Sequence, residues 1–218
     1  MIKNKKIAIN LVGISHLDSK VGQPDAKGMG HHNRFYPDHP PNIIENIINP
    51  LKKHNDVFVH LTTYSHQKQQ ELISMYDPEN YNIIENFRDS YMQGTYIKSL
   101  ENLIDEEIDI VFSCRFDIVF KKTIEDMNVD ENKFNAIFRE KGWAHKNYTS
   151  DIFFIFPKLM ISDIIESINA LYSYDTNGLH GLAHQLSKKI SYDNINIMDE
   201  EDELGNNTKY FYIPRLHF

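Results

Sequence analysis

The hydrophobic positions of this chain fall into two kinds of block. Short, nearly continuous apolar runs read as buried strands, and longer stretches repeat their apolar residues at helical spacing. Residues 6–15 (KIAINLVGIS) predict a first buried strand ending near Gly13, and residues 56–62 (DVFVHLT) a second, rich in β-branched side chains. Residues 82–85 predict a short third strand. Residues 108–113, 134–138 (FNAIF) and 152–156 (IFFIF) predict further strands, and residues 210–213 a last short one before Pro214. Between them, Ile43, Ile44, Ile47, Ile48 and Leu51 mark a helix that Asn42 can cap and Pro50 should end or kink. Residues 67–76 predict a second helix. Met92, Tyr96, Ile97, Leu100, Leu103 and Ile104 form the apolar face of a third, with Ser90 as its cap. Residues 162–172 and 179–190 predict two more.

Strand and helix alternate through the first 120 residues, which is the pattern of βαβ units and a parallel sheet. The second half is less regular, so the expected fold is α/β, a single domain over residues 1–218 with a central mixed, mostly parallel sheet flanked by helices. By analogy with doubly wound sheets, residues up to about 120 form one half and residues 121–218 the other. No internal repeat or divisive linker interrupts it.

Composition narrows the functions. The net charge of -8 argues against a nonspecific nucleic-acid binder, while a local Arg or metal ion still suits a small anionic ligand. A single cysteine, Cys114, forbids an intrachain disulfide and fits a reducing compartment. The start of the chain, residues 1–6, is basic. The apolar run after it, residues 7–14 with Asn10 inside, is too short for a signal core or a membrane span, and the expected location is cytoplasmic.

The candidate chemistry centres on the run IDIVFSCRFDIVF, residues 108–120. A charged Arg115 and Asp117 at the end of a buried strand are costly unless they meet a ligand, a metal or an opposite charge. Two residues apart on extended chain, they share a side, with Phe116 facing the core. Two readings follow: a ligand or cation site, or an internal salt bridge that closes the sheet. Asp151 opens a strand after a polar loop, where it can take a proton from a hydroxyl or cap loop amides.

Residues 15–41 form a long Gly- and Pro-containing loop with His16, His31, His32 and His39. The histidines read as solvated, and Arg34 is the candidate for a diphosphate. His180 and His184 are four apart on one helix face, a spacing that can bind zinc, but the side of a packed helix is the simpler reading. Trp143, in the loop with His145 and Tyr148, suits either sugar stacking or packing. Cys114 reads as a small buried hydrophobe.

The pieces IAINLVGISH, DVFVHLTTY, YDPENY, YIKSLENLI, DIVFSCRFDIVF, KFNAIF and TSDIFFIF, taken in order, touch most of the chain. This ordered set resembles nucleotide-sugar glycosyltransferases of the GT-A fold. More narrowly, it resembles a small glycosyltransferase family found in large algal DNA viruses and in some bacterial surface-polysaccharide clusters. The resemblance implies transfer of a sugar from a nucleotide-diphosphate sugar to a hydroxyl of a glycan or glycoprotein, assisted by Mn²⁺ or Mg²⁺. It implies Asp117 as a metal ligand with a late histidine, His217, completing the site, and Asp151 as general base if configuration inverts. Arg115 stands where such enzymes commonly carry the first acid of Asp-x-Asp, so one carboxylate is missing and Arg115 replaces part of the metal's charge or orients Asp117. The strand ends at Val12, Gly13, Leu61 and Thr62 would face base and ribose. Two rival expectations are a metal-dependent hydrolase using the loop histidines with Asp38 or Asp117, and a non-catalytic glycan-binding module around Trp143.

Overall fold

The computed structural model describes residues 2–13, 39–85, 92–139, 148–172, 179–199 and 210–212. Seven strands form one sheet in the order β3-β2-β1-β4-β7-β6-β8, where β1 is Lys6–Val12, β2 Asp56–Tyr64, β3 Asn80–Ile84, β4 Ile110–Cys114, β6 Phe134–Ala136, β7 Phe153–Pro157 and β8 Ile195–Ile197. All pairings are parallel except those of β7, which runs antiparallel to both β4 and β6. The expected α/β fold with a mixed, mostly parallel sheet is therefore the observed one. A small second sheet pairs β5 (Val119–Phe120) with β9 (Phe211–Tyr212).

The central strands read as unbroken apolar runs because helices cover both faces of the sheet. On one face Ile7, Ile9, Leu11, Val59 and Phe112 pack with Ile43, Ile47 and Leu51 of the first helical run and with Leu72 of α3 (Gln69–Tyr76). On the other, Ala8, Val111, Phe154 and Phe156 pack with Leu100 of α4 (Met92–Glu101), Ile164 and Ile168 of α5 (Ile161–Tyr172) and Leu182 of α6 (Leu182–Leu186). Odd and even strand positions thus build two separate cores.

The first helical run departs from its expected form. It begins in α1 (His39–Ile43), passes through a π turn at Ile44–Ile48 and continues as α2 (Asn49–Lys52). Pro40 and Pro41 fall in its first turn, where missing N–H donors have no intrahelical partner to lose, so the helix starts inside the segment expected to be loop. Pro50 does not end it: the preceding turn is widened, with the Asn49 N–H reaching back to Ile44. Asn42 is not the cap. It sits within the helix and clamps the backbone of Phe120 on β5, donating to its carbonyl (3.0 Å) and accepting from its N–H (2.6 Å).

A polar row crosses the second core. His60, Asn10 and Ser113 are register partners on β2, β1 and β4 and face α4. Asn10 Nδ2 donates to Ser113 Oγ (3.1 Å) and to Ser99 Oγ of α4 (3.0 Å), which docks the helix in one position. His60 is 1% exposed, with Nε2 3.2 Å from Thr62 Oγ1, and burial lowers its pKa to about 4.

Two outcomes follow. Asn42→Ala removes both bonds to Phe120 and should lower stability by about 1–3 kcal/mol, measured by thermal or urea unfolding. A change within error would mean that β5 is held by its β9 pairing alone. His60 should make the fold acid-sensitive. Unfolded histidine titrates near 6.5 and folded His60 near 4, so the unfolded state binds the extra proton between those values. Stability is complete above about pH 6.5 and falls by about 3 kcal/mol as pH drops toward 4. His60→Gln should flatten this part of the pH–stability curve; an unchanged slope would assign it to other groups.

Candidate functional site

The chain leaves β1 toward β2 and β3 on one side, then returns past β1 to β4 on the other. The β1/β4 boundary is therefore a topological switch point, and the crevice outside the carboxyl ends of such strands is where open α/β sheets take ligands. Gly13 ends β1 with φ +113°, a conformation that favours glycine, and a Cβ there would meet no atom of the described residues within 4 Å. Its N–H donates to the Thr62 carbonyl (3.0 Å) and its carbonyl accepts from the Thr63 hydroxyl (2.9 Å), so β2 fixes how β1 exits. Val12, Leu61 and Thr62 are buried at this end, and Gly13 alone of the four expected contacts is partly exposed.

Arg115 follows β4, and its N–H donates to the Ile152 carbonyl at 3.1 Å, so the antiparallel pairing with β7 carries on past Cys114. Phe116 turns into the core, 3% exposed, with its ring 6.2 Å from Tyr76. Arg115 and Asp117 are left together on the other side, as their spacing implied. The guanidinium grips Asp117 with two bonds, Nε to Oδ1 at 2.8 Å and Nη2 to Oδ2 at 2.5 Å. Because β7 runs backward, its first residues lie at the same edge, and Arg115 Nη1 reaches Asp151 Oδ1 at 3.1 Å. Asp151 Oδ2 stands 3.6 Å from His180 Nε2. The result is a chain, Asp117–Arg115–Asp151–His180. The side chains of both carboxylates are 6% exposed, that of Arg115 18% and that of His180 44%, so the site opens to solvent at the imidazole.

Burial works against the Arg115 cation, but the charges of Asp117 and then Asp151, with hydrogen bonds to both, more than offset it and raise its pKa. Beside them, burial pushes the Cys114 thiol well up, and its Sγ lies 3.1 Å from the Arg115 carbonyl, in keeping with an inert packing residue.

Among the described residues, the donor set at this end does not fit a resident divalent cation. Mg²⁺ needs about six oxygen ligands in near-octahedral array, whereas both oxygens of Asp117 are engaged by a cation. Among the described residues no group of three His, Cys, Asp or Glu side chains converges on a common point. Arg34, His217, Asp38, His31, His32 and Trp143 lie outside the described residues.

His180 is the member that sequence reasoning passed over. Its i,i+4 spacing with His184 drew attention to zinc, while its actual partner is Asp151, 29 positions earlier. The contact arises because the Thr149 N–H donates to the His180 carbonyl (2.9 Å) and Gly181 lets the chain pass close to Leu171 and Tyr148. A Cβ on Gly181 would approach Leu171 Cδ2 to 2.8 Å.

Arg115→Met leaves two buried carboxylates without their cation and should cost about 3–5 kcal/mol, a fall in Tm on the order of 10 °C. Asp151→Asn, which removes a single longer bond, should cost less than Asp117→Asn. Equal losses, or none for Arg115→Met, would mean that water already compensates these charges. The chain matches no family model and no curated protein, so its function has to be argued from this geometry.

Proposed function

We propose that this protein is a glycosyltransferase that moves a sugar from a nucleotide-diphosphate sugar to a hydroxyl of a glycan or glycoprotein. The observation that carries the reading is the buried Asp117–Arg115–Asp151 chain just past the carboxyl end of β4, the strand beside the β1/β4 switch point, with His180 at its open end. The ordered sequence resemblance to GT-A enzymes supports the same reading.

The chemistry needs three things of the chain. A backbone close to the donor is supplied by Gly13, which is partly exposed and carries no side chain. Donors for phosphate oxygens are supplied by Arg115: a guanidinium has five N–H groups, and three are engaged by the carboxylates. A base for the acceptor hydroxyl is supplied by Asp151, which Arg115 holds through one oxygen and which turns the other toward His180. In transfer with inversion, the acceptor oxygen forms a bond to the anomeric carbon as the carbon–oxygen bond to the diphosphate breaks. The electron pair leaves with the diphosphate, and the acceptor proton goes to Asp151. A divalent ion, if the donor brings one, would neutralise the leaving diphosphate; no step here depends on it.

Thermal shift against a panel of nucleotide-diphosphate sugars, with and without Mn²⁺, tests the reading. A donor at ~100 times its dissociation constant stabilises by about 2.7 kcal/mol. One nucleotide family should give such a shift in wild type and in Asp151→Asn. Turnover with the matching acceptor should fall by about 10²–10⁴-fold in Asp151→Asn. Folded protein that responds to no nucleotide sugar would sink the proposal, and a response to Mn²⁺ alone would favour a metal-dependent hydrolase.

A further inference from the structure

The amino-terminal edge of the sheet, opposite the crevice, carries a second feature. A shallow basin of about 560 Å³ lies there, lined by Lys3, Lys5, Lys6, Lys52, Lys53 and His54. In a chain of net charge -8, this is a concentrated positive surface. The acids facing it are Asp56, in the basin, and Glu107, paired with Lys6. Asp105, Glu106 and Asp109 stand exposed ahead of β4, and Asp109 accepts from the Lys6 N–H (2.8 Å). Lys3, Lys5, Lys52 and Lys53 are without an ion-pair partner among the described residues.

The basin is built by specific bonds between two distant segments. Asn55 accepts from the Lys5 N–H (3.1 Å) and donates to the carbonyls of Ile2 (3.1 Å) and Leu51 (3.0 Å). The Asn4 N–H donates to His54 (2.9 Å) and the Asp56 N–H to Lys5 (2.9 Å). The lead-in to β1 is thereby fastened to the end of α2, and the lysines of both are held around one depression rather than scattered.

We infer that this edge is a docking surface for anionic phospholipid headgroups. Its side-chain cations are lysines, point charges that suit the diffuse field of a lipid surface. Among the described residues it has neither the arginine forks nor the aromatic platforms by which proteins hold nucleic acid strands, and the net negative charge of the chain disfavours a long polyanion running past the patch. The basin and the crevice lie at opposite ends of β1, a seven-residue strand, about 23 Å apart along it. Docking at this edge therefore leaves the crevice open to the aqueous side. The inference does not depend on the proposed reaction.

Co-sedimentation of the full chain with vesicles tests it. Vesicles of phosphatidylcholine containing about one quarter phosphatidylglycerol should bind the protein at low salt, and pure phosphatidylcholine should not. Raising salt to about 0.5 M should release it. The combined substitution Lys3→Glu, Lys5→Glu, Lys52→Glu and Lys53→Glu should weaken binding by about a hundredfold or more, with an unchanged unfolding curve. Lys98→Glu, on α4, should bind as wild type does. Three results overturn the inference: no binding to the anionic vesicles, undiminished binding by the folded quadruple variant, or tighter binding of a single-stranded oligonucleotide than of the vesicles.

Discussion

The interaction on which the site depends is the grip of Arg115 on two carboxylates at the end of β4. An ion taken out of water loses several kcal/mol of hydration, and attraction returns that only when geometry is good and the remaining donors are satisfied. Here the fork geometry of guanidinium meets both oxygens of Asp117 and one of Asp151. Arg115 is thus the tie between two halves of the chain, since Asp151 arrives 36 residues later, just before β7, which runs antiparallel to β4.

That tie needs a fixed frame. The crossovers through α1–α2 and α3 lie on one face of the sheet and that through α4 on the other, so the chain must reverse at β1/β4, and the crevice follows from the winding. Asn42 braces β5 just past Asp117, and Asn10 docks α4 through Ser99 beneath the same end of the sheet. Both asparagines use their amide groups as backbone does, supplying bonds where strand and helix have none to offer each other.

Much of the fold was legible in the sequence because the apolar runs of the central strands and the helical faces are long and regular. Residues 108–113 and 152–156 were recognisable as strands within a residue or two of Ile110–Cys114 and Phe153–Pro157. The first helical run was misread at Asn42, since local preference for caps yields when a tertiary partner claims a side chain; at Pro50 the run continues through a widened turn rather than ending.

By itself, the sequence determined the α/β class, the alternation that makes two cores, and the placing of Arg115 and Asp117 on one side with Phe116 on the other. These depend on period and on nearest neighbours along the chain. Only the tertiary structure decided that Asp151 joins the pair, that His180 rather than a metal-binding partner is its neighbour, and that lysines from residues 3–6 and 52–53 share one basin. Those meetings depend on the direction of β7, the close passage at Gly181 and the bonds of Asn55, which no local pattern of residues encodes.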